Sequence, residues 1–185
     1  MAKRKPGDLK LMQSNVLRVT RLHFLYVLAF SIATVIFDSW NLIQPEPIIE
    51  RWTATAILLV ATTLVWFVLR NRKPTKTILY VGVFSVIIAD IILAATTVFG
   101  ERGMASPAVI LFTIPIITSA SLLNRSAVYT TASICTAAYA SSVIRYFVES
   151  GSEGFKIQLY GMLFLYISIF FIIAALISTL DKPKT

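Results

Sequence analysis

The sequence is short of charge, cysteine and histidine, and each shortage excludes a class of protein. Only 14% of its 185 residues are charged, whereas an average soluble domain has about 25%. The one cysteine, Cys135, lies in an apolar run, so no disulfide can form within the chain and the residue suits a packing role. The one histidine, His23, has no cysteine or carboxylate at ligand spacing, which excludes a metal site.

Catalytic machinery is missing as well. The seven glycines form no phosphate-binding loop, and the chain has no nucleotide-binding segment of the kind that a kinase or an ATPase needs. No set of Ser, His and Asp meets at one depth, because His23 stands beside Arg21 at the inner end of the first apolar run. We therefore expect an interfacial structural role for His23 and no phosphotransfer activity from this chain alone.

What the sequence does have is apolar length. Hydrophobic residues make up 57% of the chain, and the mean hydropathy is +0.78. The apolar runs are too long and too uniform for the alternating strands of an outer-membrane barrel. The sequence therefore predicts an all-α integral membrane protein, a six-helix transmembrane bundle. The predicted spans are residues 22–40, 52–69, 78–99, 107–123, 127–147 and 157–180.

Two terminal segments flank this bundle. Residues 1–21 are basic, and two interpretations stay open for them: an amphipathic helix on the inner leaflet, or a disordered tail. The first interpretation depends on apolar residues that recur at helical spacing, namely Leu9, Met12, Val16 and Val19. Residues 181–185 form a short tail after the sixth span.

The basic residues indicate the orientation of the bundle. Thirteen Lys and Arg residues fall on the side of the termini and four on the other side, the four being Arg51, Arg102, Arg145 and Lys156. Under the positive-inside rule, this asymmetry puts both termini in the cytoplasm. The net charge of +8 flanks membrane segments, so we expect the lipid bilayer of the cytoplasmic membrane as the partner, and no nucleic acid.

Two residues inside the predicted spans are unusual for a lipid environment. Asp90 lies near the middle of the third span, and Pro115 lies in the middle of the fourth. Loss of water favours the neutral form of such an acid, which then needs a hydrogen-bond partner. The expected partners are the carbonyl of Leu111, freed by Pro115, and the hydroxyls of Thr113, Thr118, Ser119 and Tyr139. Two roles stay open for Asp90, a structural tie between helices and a site for a ligand or a proton.

One stretch of the chain resembles a known family. The sequence GERGMASPAVILFTIPIITSASLLNRSAVYTTASICTAAYASSVIRYF is similar to the membrane sensory region of six-span sensor histidine kinases. It is most similar to the redox-responsive type, in which a G-G-x-x-N-P-F loop motif precedes the fourth span. Gly103 and Pro107 match that motif, and Pro115 matches a second proline of the family. Arg102, Ser106 and Ala108 depart from it.

The resemblance implies a function for the loop. In that family the motif is associated with quinone sensing, so the implied ligand-binding residues are Gly103, Pro107 and Pro115, with Asp90 added from its depth. The sequence itself also offers a simpler interpretation of the window. Ser106 is a good N-cap and Pro107 a good first helical residue, so the motif would only start a helix.

Three functions remain open at this stage. The leading one is a membrane sensory or signalling module, in which the sixth span leads to an output domain in the same gene or the chain acts as a free-standing relative. A second is a substrate-binding subunit of an energy-coupling-factor-type transporter, since Ala29 and Ala33 fit an A-x-x-x-A motif. A third is an accessory membrane subunit. Small residues recur at every fourth position in the fifth span, at Ser133, Ala137 and Ser141, and two interpretations stay open: a packing seam within the bundle or one between protomers. A homodimer or a partner membrane protein is expected.

Overall fold

The structure, a computed structural model, describes residues 6–40, 45–71, 74–101, 103–150 and 157–180. It is all-helical within these ranges. The five long helices are α1 (Pro6–Ser39), α2 (Pro45–Asn71), α3 (Lys76–Gly100), α5 (Arg125–Ser150) and α6 (Ile157–Leu180). A short helix α4 (Thr113–Ser119) lies inside a fourth apolar segment, Pro107–Leu122, and a single 3₁₀ turn, Gly103–Ala105, precedes that segment. The predicted fold class is confirmed to this extent.

The five long helices are each apolar and long enough to span a membrane. The fourth segment differs, because 3₁₀ turns (Pro107–Phe112 and Ala120–Leu122) flank α4. A 3₁₀ turn rises about 2.0 Å per residue against about 1.5 Å in an α-helix, so sixteen residues reach about 28 Å here instead of about 24 Å. The extended winding therefore brings a short segment close to the ~30 Å of a hydrocarbon core.

Local sequence explains where this segment starts. Ser106 is the N-cap of the first 3₁₀ turn, where its side chain accepts a hydrogen bond from the Ala108 N–H, and Pro107 is the first helical residue. Pro115 is the third residue of α4 and lies near the middle of the fourth segment, Pro107–Leu122. Leu123 ends the segment in the left-handed conformation, with φ of 50°.

The first helix is longer than the sequence analysis predicted. Helix α1 runs without a break from Pro6 to Ser39, so no separate surface helix ends near residue 21. Met12, Val16 and Thr20 are buried, and the Gln13 side-chain amide donates a hydrogen bond to the Leu69 carbonyl at the end of α2. Two residues of the apolar stripe that suggested a leaflet-bound helix, Met12 and Val16, therefore pack against protein, whereas Leu9 is exposed. Residues 1–5 and the predicted tail 181–185 lie outside the described residues.

Helix α3 is the centre of the bundle. It contacts α1, α2, α5 and the fourth segment, and the residues of its inner face are buried along most of its length. Helix α6 lies at the edge and buries one narrow stripe, made of Phe170, Ala174 and Ser178. Two polar residues on this inner face, Asp90 and Thr97, are therefore buried in the bundle.

Candidate functional site

The centre of the bundle contains a histidine–aspartate pair. His23 on α1 and Asp90 on α3 are 3% and 2% exposed, and His23 Nε2 lies 2.9 Å from Asp90 Oδ2. This contact corrects two expectations. His23 is buried within the bundle and has an acid beside it, and the partner of Asp90 is this imidazole. The Leu111 carbonyl and the Thr113, Ser119 and Tyr139 hydroxyls make no described hydrogen bond to Asp90.

The expectation for His23 depends on a first span that begins at residue 22, which puts His23 at the end of its helix. In the structure one helix, α1, runs from Pro6 to Ser39, and His23 lies near its middle. The signal was present in the sequence. Apolar residues at helical spacing, Met12, Val16 and Val19, continue directly to His23 and Val27, both of which are buried. Because these residues share one continuous helix face, their spacing predicts that the His23 imidazole lies inside the bundle, at the depth of Asp90.

The hydrogen bonds of the imidazole define where its protons lie. His23 Nδ1 lies 3.0 Å from the Val19 carbonyl, which can only accept, so Nδ1 carries a hydrogen. Nε2 and Asp90 Oδ2 must then share one proton, because two lone pairs would otherwise face each other at 2.9 Å. The pair is either imidazolium with carboxylate or imidazole with carboxylic acid. Its net charge is zero in both forms, which suits the interior of a membrane protein.

The fourth segment supplies a third polar group. Thr118 Oγ1 lies 3.5 Å from His23 Nε2, so α4 touches the pair about one turn after Pro115. Of the hydroxyls expected near Asp90, Thr118 is the one that the structure brings to the pair. The second carboxyl oxygen, Oδ1 of Asp90, is buried and has no hydrogen-bond partner among the described residues. The pair is thus a three-helix contact with unused hydrogen-bonding capacity.

A second polar cluster lies at one end of the bundle, where α3 meets the motif loop. The guanidinium of Arg51 is 2% exposed, and its Nη2 lies 3.1 Å from Glu101 Oε1. Ser106 donates a hydrogen bond of 3.0 Å to Glu101 Oε2 while its oxygen accepts from the Ala108 N–H. The N-cap of the fourth segment is therefore tied to the start of α2 through one carboxylate.

Gly103 and Pro107 shape this loop. Gly103 has φ of +58°, and a Cβ added there would lie 2.9 Å from Tyr146 Cδ1. A side chain would therefore be strained by the backbone and would clash with α5. Pro107 is exposed at the start of the fourth segment. Arg102, the first position of the motif window, lies outside the described residues.

The four sequence-predicted site residues thus fall into separate environments. Asp90 belongs to the pair, whereas Gly103 and Pro107 belong to the loop beside Arg51 and Glu101. Pro115 is buried in the first turn of α4, between the two. Among the described residues, no group of three or more His, Cys, Asp or Glu side chains is arranged to hold a metal ion.

An aromatic cluster connects the fourth segment to α6. The ring of Phe112 lies 5.9 Å from that of Tyr139 on α5 and 5.8 Å from that of Phe170 on α6. Tyr139 in turn lies 6.1 Å from both Phe170 and Tyr166. Such edge and tilted contacts are favourable ring geometries. A shift of the fourth segment would therefore change the ring contacts that it makes with α6.

Comparison with known proteins agrees with this architecture. No curated protein and no solved structure matches the chain. The model of one family, described as the PilS-like transmembrane domain, matches residues 8–183. PilS is a sensor histidine kinase, and the expected resemblance to the membrane sensory region of such kinases is confirmed. The chain belongs to the family of PilS-like transmembrane domains, which have six membrane spans.

Proposed function

We propose that the protein is a membrane sensory module of the sensor-kinase type, without catalytic output in this chain. The observation that carries the proposal is the buried contact between His23 and Asp90, joined by Thr118, inside a bundle of this family. A polar contact among three helices is a place where small changes in hydrogen bonding alter helix packing. The transporter-subunit alternative gains no comparable support.

The signal would pass from the pair to α6. Thr118 and Phe112 lie on the same irregular segment, one beside His23 and the other against Phe170 of α6. A change at the pair that shifted this segment would move the aromatic cluster, and α6 would carry the movement to the side of the termini. Short 3₁₀ stretches suit such a role, because their hydrogen bonds are weaker than those of an α-helix.

We also propose that the protein lies in the cytoplasmic membrane with both termini in the cytoplasm. The support is the distribution of Lys and Arg between the two sides of the bundle. In this orientation the pair lies within the membrane, and the Arg51–Glu101–Ser106 cluster lies near the outer surface.

The ligand suggested by the resemblance, a quinone, is a separate proposal. Its head-group carbonyls need hydrogen-bond donors, and Arg51 is a donor beside the loop that holds Gly103 and Pro107. Extraction of the purified protein with organic solvent, followed by an absorption spectrum, tests for a bound quinone. An extract from an Arg51→Ala variant is the comparison.

The sensory function can be tested with a chimera. We would join residues 1–180 to the output domain of a histidine kinase and follow a transcriptional reporter across external pH. Asp90→Asn keeps the size of the side chain and can donate to Nε2, but it removes the acidic proton. We expect this variant to lose the parent's regulation, whereas Ser85→Ala, an exposed hydroxyl on the same helix, keeps it. Parent-like output from Asp90→Asn at every pH would mean that Asp90 only ties helices together.

A further inference from the structure

A small cavity lies directly beside His23. Its volume is about 10 Å³, enough for the centre of one water molecule, and it lies between α1, α2, α3 and the fourth segment. Most of its wall is apolar, but four groups in the wall are polar: Thr20, His23, Thr118 and Ser121. Empty cavities in proteins are apolar, whereas a polar cavity of this size holds a water that has two to four partners.

The hydroxyl groups in the wall have hydrogen-bonding capacity to spare. Ser121 Oγ is buried and has no hydrogen-bond partner among the described residues. Thr20 Oγ1 donates to the Val16 carbonyl, so its lone pairs remain free to accept. Thr118 Oγ1 reaches His23 Nε2 only at 3.5 Å. A water in the cavity would donate to Thr20, accept from Ser121 and bond Thr118, which leaves no hydroxyl in the wall without a partner.

The position of the cavity shows on which side of the His23–Asp90 pair this water would lie. Thr20 precedes His23 on α1, and Ser121 lies at the end of the fourth segment, near the turn that leads to α5. The cavity is therefore on the side of the pair that faces the amino end of α1. The remaining titratable side chains described near Asp90 are Tyr26 of α1 and Cys135 of α5. Neither Tyr26 nor Cys135 lines the cavity.

We propose that this cavity binds one water molecule, and that the water exchanges the proton shared by His23 and Asp90. The exchange moves one proton and no electrons. The bridging proton passes to the Thr118 hydroxyl as that hydroxyl passes its own proton to the water, and a different proton of the water then returns by the reverse steps. The pair ends with one bridging proton, and the water ends neutral. The inference depends on the geometry of the pair and not on a sensory function, because a bundle with any other task would hold the same water.

The lone histidine makes the test direct. The full chain, labelled with ¹⁵N-histidine and placed in lipid bilayers, gives imidazole signals from His23 alone. Magnetisation transfer from water to its ring N–H groups in solid-state NMR then reports a water in contact with the site. We expect clear transfer in the parent, together with exchange of the bridging proton when H₂O is replaced by D₂O.

Two variants distinguish a water site from general solvent access. Ser121→Val fills the cavity, and Thr20→Val removes a polar group at constant size; both should lose most of the transfer and slow the exchange. Ser133→Val, which places the same side chain on the exposed face of α5, should keep the parent's signals. If Ser121→Val fails to fold, Thr20→Val decides. Absence of transfer in the parent, or transfer unchanged in a folded cavity variant, would overturn the proposal, and neither result depends on whether a chimera signals.

Discussion

His23 Nε2 and Asp90 Oδ2 lie 2.9 Å apart although 67 residues separate them in the sequence. The contact fixes α1 against α3 in a part of the bundle where both side chains are buried. Removing one partner would leave the other buried with an unmet hydrogen bond. The contribution of the pair to the free energy of unfolding can therefore be measured by changing both residues, singly and together.

We expect a positive coupling energy between His23→Ala and Asp90→Ala in a double-mutant cycle. Each single variant should be destabilised, and the double variant should be destabilised by less than the sum of the two. Hydrogen bonds between membrane helices contribute about 0.6 kcal/mol on average and up to about 1.7 kcal/mol. We expect the upper part of that range, because the bridging proton keeps the pair net neutral. Reversible unfolding in mixed micelles supplies the four free energies.

The pair formed by Arg145 and Glu149 is the matched control for that cycle. Its nitrogen and oxygen are also close, at 2.8 Å, but both side chains are about half exposed. Exposed pairs of this spacing contribute about 0.3–0.5 kcal/mol. A coupling energy at His23 and Asp90 no larger than the one measured here would contradict a dominant role for the buried pair.

Gly103 and Gly161 should respond in opposite ways to alanine. Gly103→Ala forces a side chain into left-handed backbone and against Tyr146, so we expect a loss of about 1–2 kcal/mol or more in the free energy of unfolding. A Cβ at Gly161 in α6 would meet nothing within 4 Å, and Gly161→Ala should leave stability unchanged or raise it by about 0.5–1 kcal/mol. Equal effects of the two changes would show that the loop does not need a glycine.

Hydropathy alone predicted most of the fold. The apolar runs gave the helical class and a span count that agrees with the family, because long apolar stretches have few structural alternatives in lipid. Local propensity did not reveal the 3₁₀ winding of residues 107–122. That winding depends on a capped, proline-led start and on tertiary contacts such as the burial of Phe112.

The sequence indicated one residue of the buried pair, Asp90, but not the other, His23. Asp90 was recognised because a single acid in a long apolar run is conspicuous. His23 was missed because the basic residues Arg18 and Arg21 suggested a membrane surface, although both are exposed on the other side of a helix whose buried face continues past them. The start of the first span was inferred from charge, whereas the periodicity of apolar residues indicates which side chains of the helix are buried.

The orientation of the bundle predicts a labelling pattern. In a Cys135→Ala background, the Glu153→Cys variant should react with an impermeant thiol reagent added to intact cells, whereas Lys73→Cys should react only after the cells are opened. The basis is the excess of Lys and Arg on the side that contains residue 73. The reverse pattern would contradict cytoplasmic termini.

The last prediction concerns self-association through α5. Ser133, Ala137 and Ser141 repeat at every fourth position, and the structure exposes all three, so they do not pack within the bundle. Rows of small residues let two membrane helices approach closely. We propose a homodimer that uses this row and expect Ala137→Phe to lower dimer formation, measured by cross-linking in membranes over a range of protein-to-lipid ratios. Ile88→Phe adds an aromatic ring at a residue of another helix, α3, that is 55% exposed, and it should leave the dimer intact. If both variants dimerise like the parent, the row does not form the interface, and a different partner membrane protein becomes the occupant to search for.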